Sequence, residues 1–197
     1  MNYHQSWPEK AKKHFNKCLV AHGGEKAWLE LESFEFSASV FSGVLVKAKG
    51  LGSSFYNPLK IKVQPHAQRV DFIYPTHNDS YKNGELTSSA NDRTIKNGRS
   101  LFTGSSFERW TPEHSLYFFG YSWTNYLSYP FILPKFNLID FKISDTSSKF
   151  TIEFSEDHHT HCKVQNFYFD QDHILNRHDY QAPLAGPLVS GAHYSYN

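Results

Sequence analysis

A chain of 197 residues with 20 Lys plus Arg against 19 Asp plus Glu carries a formal charge of +1, so it has no electrostatic footprint for nucleic acid or an anionic membrane. Hydrophobic residues at 39% and charged residues at 20% supply a core and exclude wholesale disorder. Aromatic content of 17% beside a single Met favours rigid flat side chains on a sheet or around a pocket over a pliable helical core.

The first element is a helix. Ser6-Trp7-Pro8-Glu9 has the form of a capping box, with Pro8 suited to a first turn. Trp7, Ala11, Phe15, Cys18, Leu19 and His22 then recur at three- or four-residue steps, and Gly23-Gly24 closes the helix through the left-handed conformation glycine adopts without steric cost. Glu25 to Leu31 makes a short second helix with Ala27, Trp28 and Leu31 on its apolar side.

From Ser33 the period changes to two. Phe34, Phe36, Ala38 and Val40 alternate with polar neighbours, as do Leu59, Ile61 and Val63, then Val70, Phe72 and Tyr74. Further strands are predicted at Val44 to Lys49, Ser80 to Leu86, Arg93 to Lys96, Phe136 to Ile143, Phe150 to Phe154, Lys163 to Phe169, Ile174 to Gln181 and Leu188 to Tyr196. Turn signals lie at Lys82-Asn83-Gly84, Lys96-Asn97-Gly98, Asp145 to Ser148 and Asp170-Gln171-Asp172. One segment breaks the meander: Glu113 to Ser128 follows a Thr111-Pro112 start, and Leu116, Phe119, Trp123, Tyr126 and Leu127 fall at helical spacing, with Gly120 weakening the helix.

These elements define a mainly β, α+β fold: a curved antiparallel sheet forming an incomplete β-barrel, with the N-terminal helix and the aromatic mid-chain helix over its open side. No internal repeat, charge block or low-complexity tract marks a boundary, so residues 1–197 are expected to form one half-barrel domain, its final strands lying further on if the chain is a shortened one. The strand-like ending, Leu188 to Asn197, suggests an edge able to pair with a second copy in a homodimer. Residues Met1 to Lys13 lack the apolar run of a secretory signal, and no run of about 18 apolar residues occurs. The expectation is therefore a protein without a transmembrane segment, cytoplasmic as read and periplasmic if the N-terminus is incomplete. Cys18 and Cys162, far apart in sequence, are expected to be free thiols.

A family resemblance rests on Ala21-His22-Gly23-Gly24 with Trp28 and Leu31, on Gly120-Tyr121, Asn125-Tyr126-Leu127 and Pro130-Phe131, and on Phe167-Tyr168-Phe169-Asp170 with Arg177-His178-Asp179-Tyr180. In this pattern the chain resembles uncharacterised bacterial proteins of the LolA, LolB and LppX lipoprotein-localisation-factor group. The resemblance implies an incomplete antiparallel barrel capped by helices that holds acyl chains or other lipid-like molecules in its cavity.

Three constellations could carry chemistry. His158-His159-Thr160-His161-Cys162 is the densest set of metal-capable groups, with His159 and His161 on one strand face. A polar turn after Ser155-Glu156-Asp157 is the plainer reading, so no metal is expected, with His159 and His161 as the alternative ligands. Alternation from Ile174 places Asn176, His178 and Tyr180 on one side and Arg177 and Asp179 on the other, where an exterior ion pair is expected. His178 with Tyr180 or His193 is the candidate acid–base set, against a plainer reading as a hydrogen-bonded cavity histidine. His22 with the glycine pair reads as helix termination, since a phosphate loop needs a preceding strand. No GxSxG, HExxH or P-loop pattern occurs.

The functional expectation is non-catalytic binding of an apolar or lipid-like small molecule, without cofactor, by an aromatic cavity formed from Phe34, Phe36, Phe72, Tyr74, Phe119, Tyr121, Trp123 and Tyr126, with His178, Tyr180 and His193 fixing a polar end. The alternative is an enzyme using His178 with Tyr180 or His193 on an apolar substrate.

Overall fold

Period-two alternation and hairpin turns dominate the sequence, and the computed structural model, which describes residues 2–37, 44–51, 60–103, 105 and 107–185, converts them into two antiparallel sheets. The fold is α+β, with six strands in one sheet and four in the other, and among the described residues neither sheet closes into a barrel. Contacts group Met1–Leu31 with Ser128–Pro183 in one compact unit and Glu32–Leu127 in another. No helix among the described residues is long and apolar enough to cross a membrane.

In the first unit, helix α1 spans Glu9–Ala21 and α2 spans Gly24–Glu30, followed much later by β7 (Asn137–Ile143), β8 (Ser147–Glu153), β9 (Val164–Asp170) and β10 (Leu175–Asp179) in the order β10-β9-β8-β7. The apolar stripe of α1 is buried through Ala11, Phe15, Cys18 and Leu19. It meets alternate residues of the central strands: Phe15 lies edge-on to Phe150 at 5.0 Å and to Phe169 at 5.5 Å, and Trp7 stacks over Phe150 at 6.0 Å. The capping box at Ser6 does not form. The helix begins at Glu9 with Pro8 as its cap, because the Ser6 hydroxyl donates instead to Asn137 Oδ1 at 2.7 Å. At the other end Gly23 has φ +100°. His22 is held on both ring nitrogens: Nδ1 donates to the Cys18 carbonyl at 2.7 Å, and Nε2 accepts the Leu175 amide at 3.3 Å. Trp28 of α2 stacks on Phe131 at 4.9 Å.

The second unit holds β1 (Phe34–Phe36), α3 (Val44–Ala48), β2 (Lys60–Gln64), β3 (Arg69–Ile73), β4 (Asn78–Lys82), β5 (Glu85–Ser88), β6 (Arg93–Ile95) and α4 (Pro112–Tyr126), its strands adjacent in chain order. Two strand expectations are corrected here. The strand expected at Val44 to Lys49 is instead the helix Val44–Ala48: so short an alternation cannot be told from a helical turn and a half, and Gly50 at φ +78° turns the chain just beyond it. Ser80 to Leu86 is two strands, since Asn83 and Gly84 both take positive φ, the backbone of a type I′ hairpin. The expected strand at Leu188 to Tyr196, together with Ala38, Val40 and Leu59, lies outside the described residues.

Helix α4 lies on the sheet across β3, β4 and β5. It starts where the Thr111 amide donates to His114 Nδ1 at 3.2 Å. Gly120, which lowers helix propensity, has a packing reason: a Cβ built there would come within 2.3 Å of Tyr81 Cγ, so only glycine lets the helix approach β4.

Candidate functional site

Strand register creates a cleft in the second unit. Asp79 of β4 pairs with Ser88 of β5, and Ser88 pairs with Arg93 of β6, giving a polar cross-strand row on the helix-facing side. Two residues along, Tyr81, Leu86 and Ile95 pair in the same way and form an apolar row. The first turn of α4 adds Pro112, Glu113 and Leu116, and the result is a cleft of about 180 Å³ floored by Leu86, Ile95 and Leu116.

The polar wall is organised around two carboxylates. Glu113 Oε1 meets Arg93 Nη1 at 3.0 Å, and its Oε2 accepts the Thr111 hydroxyl at 2.6 Å. Burial opposes its charge, but the Thr111 hydroxyl, its own backbone amide and Arg93 outweigh burial and hold the carboxyl below the ordinary Glu range. Asp79 Oδ2 lies 3.5 Å from His77 Nε2, and the His77 ring stacks on Tyr74 at 4.3 Å. Asp79 Oδ1 is buried and has no hydrogen-bond partner among the described residues. An unpartnered buried acceptor costs about 1–3 kcal/mol, more when charged.

The residues named from sequence fall elsewhere. In the second unit Phe36, 38% exposed, lies edge-on to Trp123 at 5.3 Å, and Phe72 stacks on the same indole at 5.5 Å. Phe119 approaches Trp123 at 6.2 Å, while Phe34 and Tyr126 are half-buried. Tyr121 is fully buried against Tyr117 and Phe118. Phe36, Phe72 and Phe119 thus share Trp123, while Tyr74 stacks on His77, which lines the cleft.

His178 and Tyr180 belong to the first unit, and His193 and Tyr194 lie outside the described residues. A bulge between Leu175 and Arg177 shifts the parity, so Leu175 rather than Ile174 shares the buried face with His178 and Tyr180. Arg177 and Asp179 form the expected ion pair on the other face, at 2.7 Å. The His178 side chain is 2% exposed; its Nε2 donates to Gln165 Oε1 at 2.7 Å, while Gln165 Nε2 donates to Thr160 Oγ1 at 2.6 Å and to the Cys162 carbonyl at 2.8 Å. The imidazole stacks on Phe167 at 4.4 Å, and His161 stacks on Tyr180 at 4.3 Å. Burial pushes both histidines down to about 3, a poor match for proton abstraction at neutral pH. Gln165 is the member that sequence reasoning missed: it is polar yet wholly buried, and its place on the inward parity of β9 was the available signal.

His161 is buried on Tyr180, and His158 stacks on Phe154 at 5.2 Å beyond the turn closed by the His158 amide and the Ser155 carbonyl. Compared with known proteins, the chain matches no family model, and no curated protein or solved structure matches it at a significant level.

Proposed function

We propose that the protein binds, without catalysis, a small amphipathic molecule in the cleft between the β5–β6 hairpin and the start of α4. The observation that carries this reading is the unpartnered Asp79 Oδ1 beside an apolar floor. An apolar body removes area from water at about 25 cal/mol per Å², and a hydroxyl or protonated amine satisfies the carboxylate. A cavity of about 150 Å³ holds benzene; the cleft of about 180 Å³ therefore suits a short chain or ring, or that length of a longer lipid-like molecule. The resemblance to acyl-chain carriers motivates the same class of ligand.

Titration of the isotope-labelled protein with n-hexylamine and n-hexanol tests the proposal. Saturable amide shifts at Leu86, Ser88, Arg93 and Leu116 are expected, with Kd of about 1 mM for so small a probe. Asp79→Asn should weaken the amine about tenfold and the alcohol less, since the charge-assisted bond is the stronger one. Ala90→Trp, at an exposed position on the cleft wall, should block both. Shifts confined to Phe36, Phe119 and Trp123 would move the site to that ring cluster, and no saturable shift would end the proposal.

A further inference from the structure

We infer that His14, Cys18 and His173 form a transition-metal site of the zinc class in the first unit, independent of the cleft. One ring nitrogen of each histidine and Cys18 Sγ all lie within 4.8 Å of one another. His14 and Cys18 stand one turn apart on α1, where positions i and i+4 share a face. His173 comes from the β9–β10 hairpin and meets the His14 ring edge-on at 5.0 Å.

A further observation points to a ligand. His14 Nε2 and His173 Nδ1 are both buried and have no hydrogen-bond partner among the described residues. Paired orphan imidazole nitrogens beside a buried thiol are otherwise a desolvation cost with no return. The hairpin that presents His173 is also built rather than loose. Asp170 Oδ1 accepts the amides of Asp172 at 3.0 Å and Ile174 at 2.9 Å, and His173, at φ +64°, donates its amide to the Asp170 carbonyl at 3.0 Å.

The chemistry fits zinc. Bonds of about 2.0–2.1 Å to nitrogen and 2.3 Å to sulfur in a tetrahedron put ligand atoms roughly 3.3–3.6 Å apart, so closure asks for about 1 Å of side-chain rotation from the present separations. On binding, the Cys18 thiol releases its proton to solvent and coordinates as thiolate, both imidazoles coordinate as neutral rings, and a water completes the fourth position. The ion would staple α1 to the β9–β10 hairpin.

The test uses the full chain, reduced and stripped with chelator, titrated with Zn²⁺ against a chromophoric competitor and with Co²⁺ by absorption. One ion per chain is expected, with tetrahedral cobalt bands and a thiolate-to-cobalt charge-transfer band. His173→Asn keeps a residue tolerant of positive φ and should lower affinity at least about tenfold with unchanged circular dichroism. Cys18→Ser should abolish the charge-transfer band. If Cys18→Ser fails to fold, His173→Asn decides alone. Absence of stoichiometric binding, or binding undiminished in His173→Asn, overturns the site, the latter placing the ion elsewhere.

Discussion

Gly120→Ala should destabilise the second unit by about 3 kcal/mol, even though alanine exceeds glycine in helix propensity by about 1 kcal/mol. The added Cβ would lie 2.3 Å from Cγ, 2.5 Å from Cβ and 2.8 Å from Cδ2 of Tyr81. Tyr81 is 1% exposed and meets Tyr117 edge-on at 6.0 Å, so its ring cannot swing clear. Either α4 lifts from the sheet or β4 bends. Urea unfolding followed through the fluorescence of Trp110 and Trp123 gives the midpoint. In a Tyr81→Ala background the same substitution should cost less than it does alone, because the contacts with Cγ and Cδ2 are gone and only the one with Cβ remains. A midpoint at or above wild type for Gly120→Ala alone would show that the close approach is not what holds the helix.

Acid should destabilise the first unit well above the range in which carboxylates titrate. Burial holds His161 and His178 neutral with pKa of about 3, and His158 at about 4, against an ordinary value of about 6.5 in the unfolded chain. Below pH 6.5 the unfolded chain therefore binds protons that the folded chain refuses, so stability falls as pH falls. The slope is about 1.4 kcal/mol per pH unit for each histidine until the folded values are reached. For the two most buried groups together, His161 and His178, this amounts to about 3 kcal/mol per unit between pH 6 and 4. The check is the urea midpoint at pH 7, 6 and 5, read from Trp7 and Trp28. His178→Phe should flatten the slope by one proton; an unchanged slope would mean that His178 is protonated in the folded state.

Much of the fold was legible in the sequence because it depends on local pattern. The stripe Ala11, Phe15, Cys18 and Leu19 gave α1, and the alternation through Val70 and Phe72 gave β3 with Phe72 inward. Asn83-Gly84 and Asp170-Gln171-Asp172 marked hairpin turns through their own backbone and side-chain chemistry. Where a distant partner competed, the local reading failed. Ser6 caps no helix because Asn137 takes its hydroxyl, and Val44 to Ala48 is too short for its period to distinguish helix from strand.

The candidate sites were much less legible, for the same reason. A row such as Asp79, Ser88 and Arg93 exists only once two hairpins have fixed their register, and that Asp79 Oδ1 is buried without a partner follows from the assembled fold. His14, Cys18 and His173 meet because a helix and a hairpin far apart in the chain pack face to face, and nothing in their spacing announces it. Local periodicity and turn chemistry thus determined most of the helices and strands and most of their apolar faces, since those follow from neighbours a few residues away. Tertiary packing alone decided which polar atoms are buried without partners and which side chains converge, because desolvation and proximity are properties of elements brought together across the chain.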